Sequence, residues 1–320
     1  MEQPRQYLIG ALMLICTSLL GQEPELLQMY LDWQLGTAKT YRSVGSTKIS
    51  MNDTLITDAN VEQIFTLTVI DTTDRFVLEF KDRSLDLSIE MDPMLDPDQR
   101  VEDVIATFSR TIQREMQDFV YVIEVDKEVA LATKILNEQE VLEVLHLSLD
   151  RFTEELGNKY GIGDQKIDSL HSAIEVKFEQ QAPLMTQTIL NTLNYMFQTY
   201  SYAFDPEGEL EQGIMVYDVN AMSEFGTDEF PAVLKINSKM TEDELKLDVS
   251  TVYDQEFLWA RFQAVKGGLE DISPNDLNIS EINIVTFDLN TTWITSFNTR
   301  IEFLLKGVHV LEQKEMTIIE

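Results

Sequence analysis

The chain has 320 residues, 56 of them acidic against 24 Lys and Arg, for a net charge of −32, and 44% are hydrophobic. So acidic a protein is repelled at long range by nucleic acid and by anionic membrane surfaces, and no basic cluster offsets this. The apolar fraction is large enough to bury a core, which excludes general disorder.

The N-terminus reads as an export signal. Arg5 gives a positive start, Tyr7 to Leu20 (YLIGALMLICTSLL) an apolar core, and small Gly21 precedes Gln22, so residues 1–21 are expected to be a cleaved secretory signal peptide. The apolar run is shorter than the roughly 20 residues of a spanning helix and is followed at once by GQEPE. The one cysteine, Cys16, sits inside that run behind Leu14 and Ile15, where a lipid anchor is not attached. Without it the remaining chain has neither a disulfide nor a thiolate metal site and must hold together by packing. Exported proteins without disulfides point to a periplasmic or extracellular bacterial setting. Glu2 and Arg5 leave together, so the charge stays at −32.

After the signal, Gln22 to Leu35 is expected to be a short helical lead-in and Thr37 to Met51 to be extended. Val61 to Asp71, Arg75 to Lys81 and Leu85 to Glu90 are rich in β-branched and aromatic residues and read as antiparallel strands. In the last, Leu85, Leu87 and Ile89 alternate with Asp86, Ser88 and Glu90, the pattern of a sheet wet on one face. Asp96-Pro97 suits a helix start, and Val101, Val104, Ile105, Phe108, Ile112 and Met116 follow at helical spacing. A hairpin is expected over Phe119–Val125 and Val129–Ile135. Asn137 with Glu140 resembles a capping box opening a second helix that ends near Gly157. A third helix is expected over Asp164–Glu179 and a fourth from Pro183, carrying Leu193, Met196, Phe197 and Tyr200. Strands return at Ile214–Met222, Ala232–Ser238 and Leu245–Tyr253. A short helix over Asp254–Val265 and a loop at Asn275–Ile279 precede three closing strands near Ile282–Leu289, Thr292–Phe303 and Val308–Ile319.

The order of strands, helices and strands implies an α+β fold: one domain over residues 22–320, with a large curved antiparallel sheet packed around several amphipathic helices. A subdivision near Asp205 is the alternative. The hairpin FVYVIEVDKEVALATKILNEQEV, the N-x-x-E-V helix start at Asn137 to Val141 and the closing FDLNTTWITSFNTRIEF resemble uncharacterised secreted proteins of Bacteroidota. The resemblance spans most of the chain after the signal and implies location and fold, with no assigned activity. This chain has Thr291-Thr292 where that pattern usually has a glycine in the closing turn. The order of elements is also similar to that of envelope lipoprotein carriers, whose sheet wraps around helices and leaves an apolar groove. That is analogy of fold alone.

Catalytic signatures are missing from the sequence: no H-E-x-x-H, G-x-S-x-G, P-loop or dinucleotide fingerprint. His146, His171 and His309 are isolated, and no cofactor or metal is expected. Asp92, Asp96 and Asp98 fail the EF-hand pattern and read as a turn and helix cap. Trp33, Trp259 and Trp293 offer either a sugar platform or core packing. Three readings remain. The first is a non-catalytic binding protein that holds an apolar ligand, or a partner's hydrophobic segment, between sheet and helices. Its candidate binding residues are Phe108, Ile112, Leu193, Met196 and Phe197, each of a kind found more often in a closed core than in a groove wall. The second is an interaction module of the envelope with a sealed core, and the third a carboxylate-based hydrolase. Partners could be a small apolar molecule or an envelope protein, not nucleic acid.

Overall fold

A computed structural model of the protein describes residues 26–93, 100–117, 119–206, 208–216, 230–265 and 273–320. The predicted signal at 1–21 and the start of the predicted lead-in lie outside them. So do Asp96, Pro97 and Asp98, and residues 217–222 of the strand predicted to begin at Ile214.

Thirteen strands and four helices are described. In chain order they are β1 (Leu27–Gln28), β2 (Ala38–Met51), β3 (Thr54–Asp71), β4 (Phe76–Met91), α1 (Arg100–Met116), β5 (Val120–Asp126), β6 (Leu131–Ile135), α2 (Glu138–Tyr160), α3 (Asp164–Phe197), β7 (Ala203–Phe204), β8 (Glu209–Val216), β9 (Phe230–Met240), β10 (Glu244–Tyr253), α4 (Gln255–Val265), β11 (Leu277–Asp288), β12 (Ile294–Leu305) and β13 (Val308–Ile318). Eleven of the strands form one antiparallel sheet in the order β6-β5-β4-β3-β2-β13-β12-β11-β10-β9-β8, and β1 pairs separately with β7. The early and late strand groups meet where β2 pairs with β13, Gly45 opposite Lys314. That pairing joins them into one sheet.

Alternation sets the faces. In β11 the residues Leu277, Ile279, Glu281, Asn283, Val285 and Phe287 are all buried, and the residues between them are half-buried or exposed. The same phase runs across the register through Phe297 of β12, Met316 of β13, Ser43 of β2 and Gln63 of β3. These define an inner face.

Two hydrogen-bonded contacts show how far the sheet curls. Asn194, in the last turn of α3, accepts from Ala132 N at 2.6 Å and donates to Ala132 O at 3.0 Å, so its amide occupies the free edge of β6. The adjacent Tyr195 hydroxyl lies 3.0 Å from Thr299 Oγ1 on β12. In the strand order β6 and β12 are six steps apart, which in a flat sheet is about 29 Å. Two neighbouring side chains cannot bridge that distance, so the sheet bends around the end of α3.

The main core lies between that helix and the inner face. Trp33 stacks on Trp293 with ring centroids 4.4 Å apart and also meets Phe76, Phe197 and Tyr200. Leu193, Met196 and Phe197 of α3 are buried among them, each side chain contributing about 1.5–3 kcal/mol by removal from water. Helix α1 packs on α2 and on β4, and α2 packs on α3. Tyr253, Leu258 of α4, Leu277 and Phe303 form a smaller separate cluster.

Several expectations are corrected. From Leu26 the lead-in is not helical: Met29, Leu31 and Trp33 are buried while Tyr30 and Asp32 are exposed, so its apolar period is two, not 3.6. The two strands predicted at Arg75–Lys81 and Leu85–Glu90 are one strand, β4. The polar run between them holds a bulge, since Phe65 pairs with Asp82 and Ile64 with Ser84, and a bulge bends a strand without ending it. The third and fourth helices are one 34-residue helix, α3, which continues through Pro183. A proline removes one backbone donor, and the turns on either side carry that loss. Asn137 stands at the N-cap of α2, but its side chain makes no capping hydrogen bond. Its side chain accepts from Val122 N at 2.9 Å and donates to Val120 O at 2.8 Å, tying the helix start to β5. The helix ends later than expected, at Gly161, whose φ of 63° is the left-handed conformation glycine adopts without strain. The predicted loop at Asn275–Ile279 instead enters β11 at Leu277.

The closing turn explains its missing glycine. Thr292 has φ of 57°, a costly value for a β-branched residue. Its N–H bonds to Asp288 O at 2.7 Å, its hydroxyl accepts from Asp32 N at 3.1 Å, and its carbonyl accepts from the Tyr200 hydroxyl at 2.7 Å. Three bonds to three separate segments hold the strained residue in place.

Candidate functional site

The middle of the inner face is polar, although it lies opposite a helix. One cross-strand row reads Thr251, Glu281, Ile301, Glu312 and Thr47, and the next reads Val249, Asn283, Thr299, Lys314, Gly45 and Val61. Two arrangements result.

The first is a closed network. Glu281 is 8% exposed and accepts three hydrogen bonds: from Tyr195 at 2.8 Å, from Tyr253 at 2.7 Å and from Asn283 Nδ2 at 2.8 Å. Burial, and then the adjacent Glu281 charge, push both tyrosine hydroxyls well above their ordinary range, so they stay protonated and donate. Thr299 Oγ1 lies beside the Tyr195 oxygen. With three donors on a buried carboxylate, this network fastens α3 to β10, β11 and β12.

The second is a cavity of about 340 Å³ beside that network, at the lower end of the range for small-molecule sites. The polar side of α3, Asn191, Thr192 and Tyr195, faces it from the helix. Val61, Leu87 and Ile301 supply apolar wall, and Gly45 lies on the sheet side. A Cβ built on Gly45 would come 2.8 Å from Val61 Cγ1, so the glycine lets β2 and β3 pack without filling the space. Lys314 and Glu312 also line the cavity, two residues apart on β13. Both are partly buried, and neither side chain makes an ion pair or hydrogen bond with a described residue. Desolvation accordingly lowers the lysine amine and raises the glutamate carboxyl from their ordinary values.

The residues singled out from sequence fall in different places. Leu193, Met196 and Phe197 are 2%, 3% and 0% exposed and lie in the main core, where they offer no wall to a ligand. The cavity is faced by their polar neighbours on the same helix. Ile112 lines a second cavity of about 340 Å³ between α1 and β4, with Asp82, Arg110 and Tyr121. Phe108 is exposed on α1 and meets the Phe152 ring edge-on at 5.1 Å. The five do not converge on one site.

Trp33 and Trp293 belong to the core stack and form no sugar platform, while Trp259 packs against the smaller cluster. His171 pairs with Asp150 at 2.6 Å and His309 with Glu302 at 2.8 Å. Among the described residues no group of three or more His, Cys, Asp or Glu is placed to hold a metal ion, and no helix is long and apolar enough to cross a membrane.

The fold and cavity define an α+β protein with one large curled antiparallel sheet around a long helix. No family model matches the chain, and no curated protein matches it. Among solved structures, lipovitellin, in a study of its lipid–protein interactions, matches 90% of this chain at 7% identity with a TM-score of 0.44. This chain spans 26% of that protein's length. An outer membrane channel from Pseudomonas putida F1 matches 91% of this chain and 98% of its own at 9% identity, with a TM-score of 0.15. Both likenesses are too distant to define fold or function.

Proposed function

We propose that this chain is a non-catalytic, exported bacterial protein that binds a small molecule with an apolar part in the cavity between α3 and the sheet. The observation that carries this reading is the cavity itself. It combines apolar wall with Lys314 and Glu312, two partly buried charged groups that pair with no described residue, on the inner face of the sheet. Folding alone gains nothing by partly burying charge that no described residue pairs, and binding sites commonly combine a mainly apolar wall with a few polar groups. The export signal read at residues 1–21 supplies the setting.

Ala59 of β3 lines the cavity, and Ala59→Phe will place a ring inside it. Calorimetric titration with decanol is expected to show affinity at least tenfold weaker in this variant, with the circular dichroism spectrum unchanged. Equal affinity in a folded variant would show that the molecule binds elsewhere.

A second reading, the interaction module, draws on the outer face. Val44, Ile282, Val233 and Val252 are exposed there, and a shallow depression of about 510 Å³ includes Val44, Ile282 and Ile284. These side chains are interspersed with Lys235, Asp248, Arg300 and Glu315 across the register, so the apolar surface is broken. The cavity reading is preferred for that reason.

A further inference from the structure

The charges in the cavity restrict what can occupy it. Lys314 and Glu312 leave the same face of β13, with Cα atoms about 7 Å apart, and both line the space. Neither pairs with the other or with another described side chain. Withdrawing charge from water without a partner costs free energy, and here two partly buried groups of opposite sign stand two residues apart on one face of β13.

Each class of ligand meets them differently. An uncharged apolar molecule leaves both without a partner and displaces the water that solvates them. An anion satisfies Lys314 but sets like charge beside Glu312. A cation does the reverse. A group with both signs satisfies both at once, and its charges are strengthened by the same low-dielectric surroundings that penalise either one alone. Val61, Leu87 and Ile301 line the rest of the wall and call for an apolar chain.

We propose that the cavity binds a zwitterionic amphipath, with its anionic group on Lys314, its cationic group on Glu312 and its chain along Val61, Leu87 and Ile301. This rests on the cavity being the binding site. The test keeps the two claims apart.

Four probes sharing a decyl chain, namely decylphosphocholine, decanoate, decyltrimethylammonium and decanol, are titrated calorimetrically into the full chain below their micellar concentrations. Decylphosphocholine is expected to bind at least tenfold more tightly than the others. Lys314→Met is expected to move the preference to decyltrimethylammonium, and Glu312→Gln to move it to decanoate. If decanol or either singly charged probe binds the unmodified chain as tightly as the zwitterion, the inference is overturned and the cavity reading stands. Unchanged preference in both folded variants overturns it equally. If none of the four binds, the cavity reading fails and the inference fails with it. Should either variant not fold, as judged by circular dichroism, the ranking on the unmodified chain decides.

Discussion

Replacing Glu281 with leucine will lower the stability of the fold by about 3 kcal/mol, because two buried donors lose their acceptor at roughly 1–3 kcal/mol each. Tyr253 and Asn283 are the two donors left unpaired. Tyr195 keeps Thr299 Oγ1 at 3.0 Å as an alternative partner. Part of the loss is offset, since the carboxylate itself is no longer held out of water. Glu281→Gln keeps an oxygen acceptor and a similar shape, so it should cost only about 1 kcal/mol. Urea denaturation with an unchanged m-value measures both. A double-mutant cycle of Glu281→Leu with Tyr253→Phe should then show coupling of at least 1 kcal/mol. Additive losses would mean that the 2.7 Å contact between these groups contributes nothing to fastening the strands.

The second large effect is expected at Trp33. Trp33→Ala should cost about 3–5 kcal/mol, the range for deleting a large buried aromatic. The residue is 3% exposed, and its ring touches β4 through Phe76, the end of α3 through Phe197, and the turn before β12 through Trp293. One deletion therefore opens a cavity where three segments distant in sequence converge. Trp259→Ala provides the comparison, since that ring is only partly buried beside a small separate cluster. Its loss should be less than half as large. Thermal and urea melts of the two variants decide this, and equal losses would contradict the assignment of Trp33 and Trp293 as the centre of the core.

The strands were legible wherever one face is wet and the other dry. Leu85, Leu87 and Ile89 alternate with the exposed Asp86, Ser88 and Glu90 in β4, and that period is visible without coordinates. The lead-in misled because ELLQMYLDW holds apolar residues at spacings of two, three and four, and only burial of Met29, Leu31 and Trp33 shows which period applies. Pro183 and the Lys81-Asp82-Arg83 run looked like breaks for the same reason: local rules state what a residue costs, and packing on either side decides whether the element continues. Pairing of β2 with β13 joins residues from 257 positions apart (Met51 and Val308) to 277 (Tyr41 and Ile318), and no local pattern encodes it.

The site was less legible than the fold. Leu193, Met196 and Phe197 share the apolar spacing of a groove wall and of a core, so sequence could not separate the two, and burial placed them in the core. One signal was available in β11, where Glu281 and Asn283 occupy the buried phase of an otherwise apolar alternation. On β13 there was none. In the run Glu312-Gln313-Lys314-Glu315 both phases are polar, so inward and outward residues look alike, and Lys314 and Glu312 emerge only once the register with β2 and β12 is known.

The most direct test of the central claim is native mass spectrometry of the full chain purified from a bacterial periplasm, followed by solvent extraction of whatever is bound. A one-to-one adduct that extracts as an amphipathic small molecule, and is lost from Ala59→Phe, is the expected result. A bare polypeptide mass for the unmodified chain, with none of the four decyl probes taken up on addition, would contradict the account.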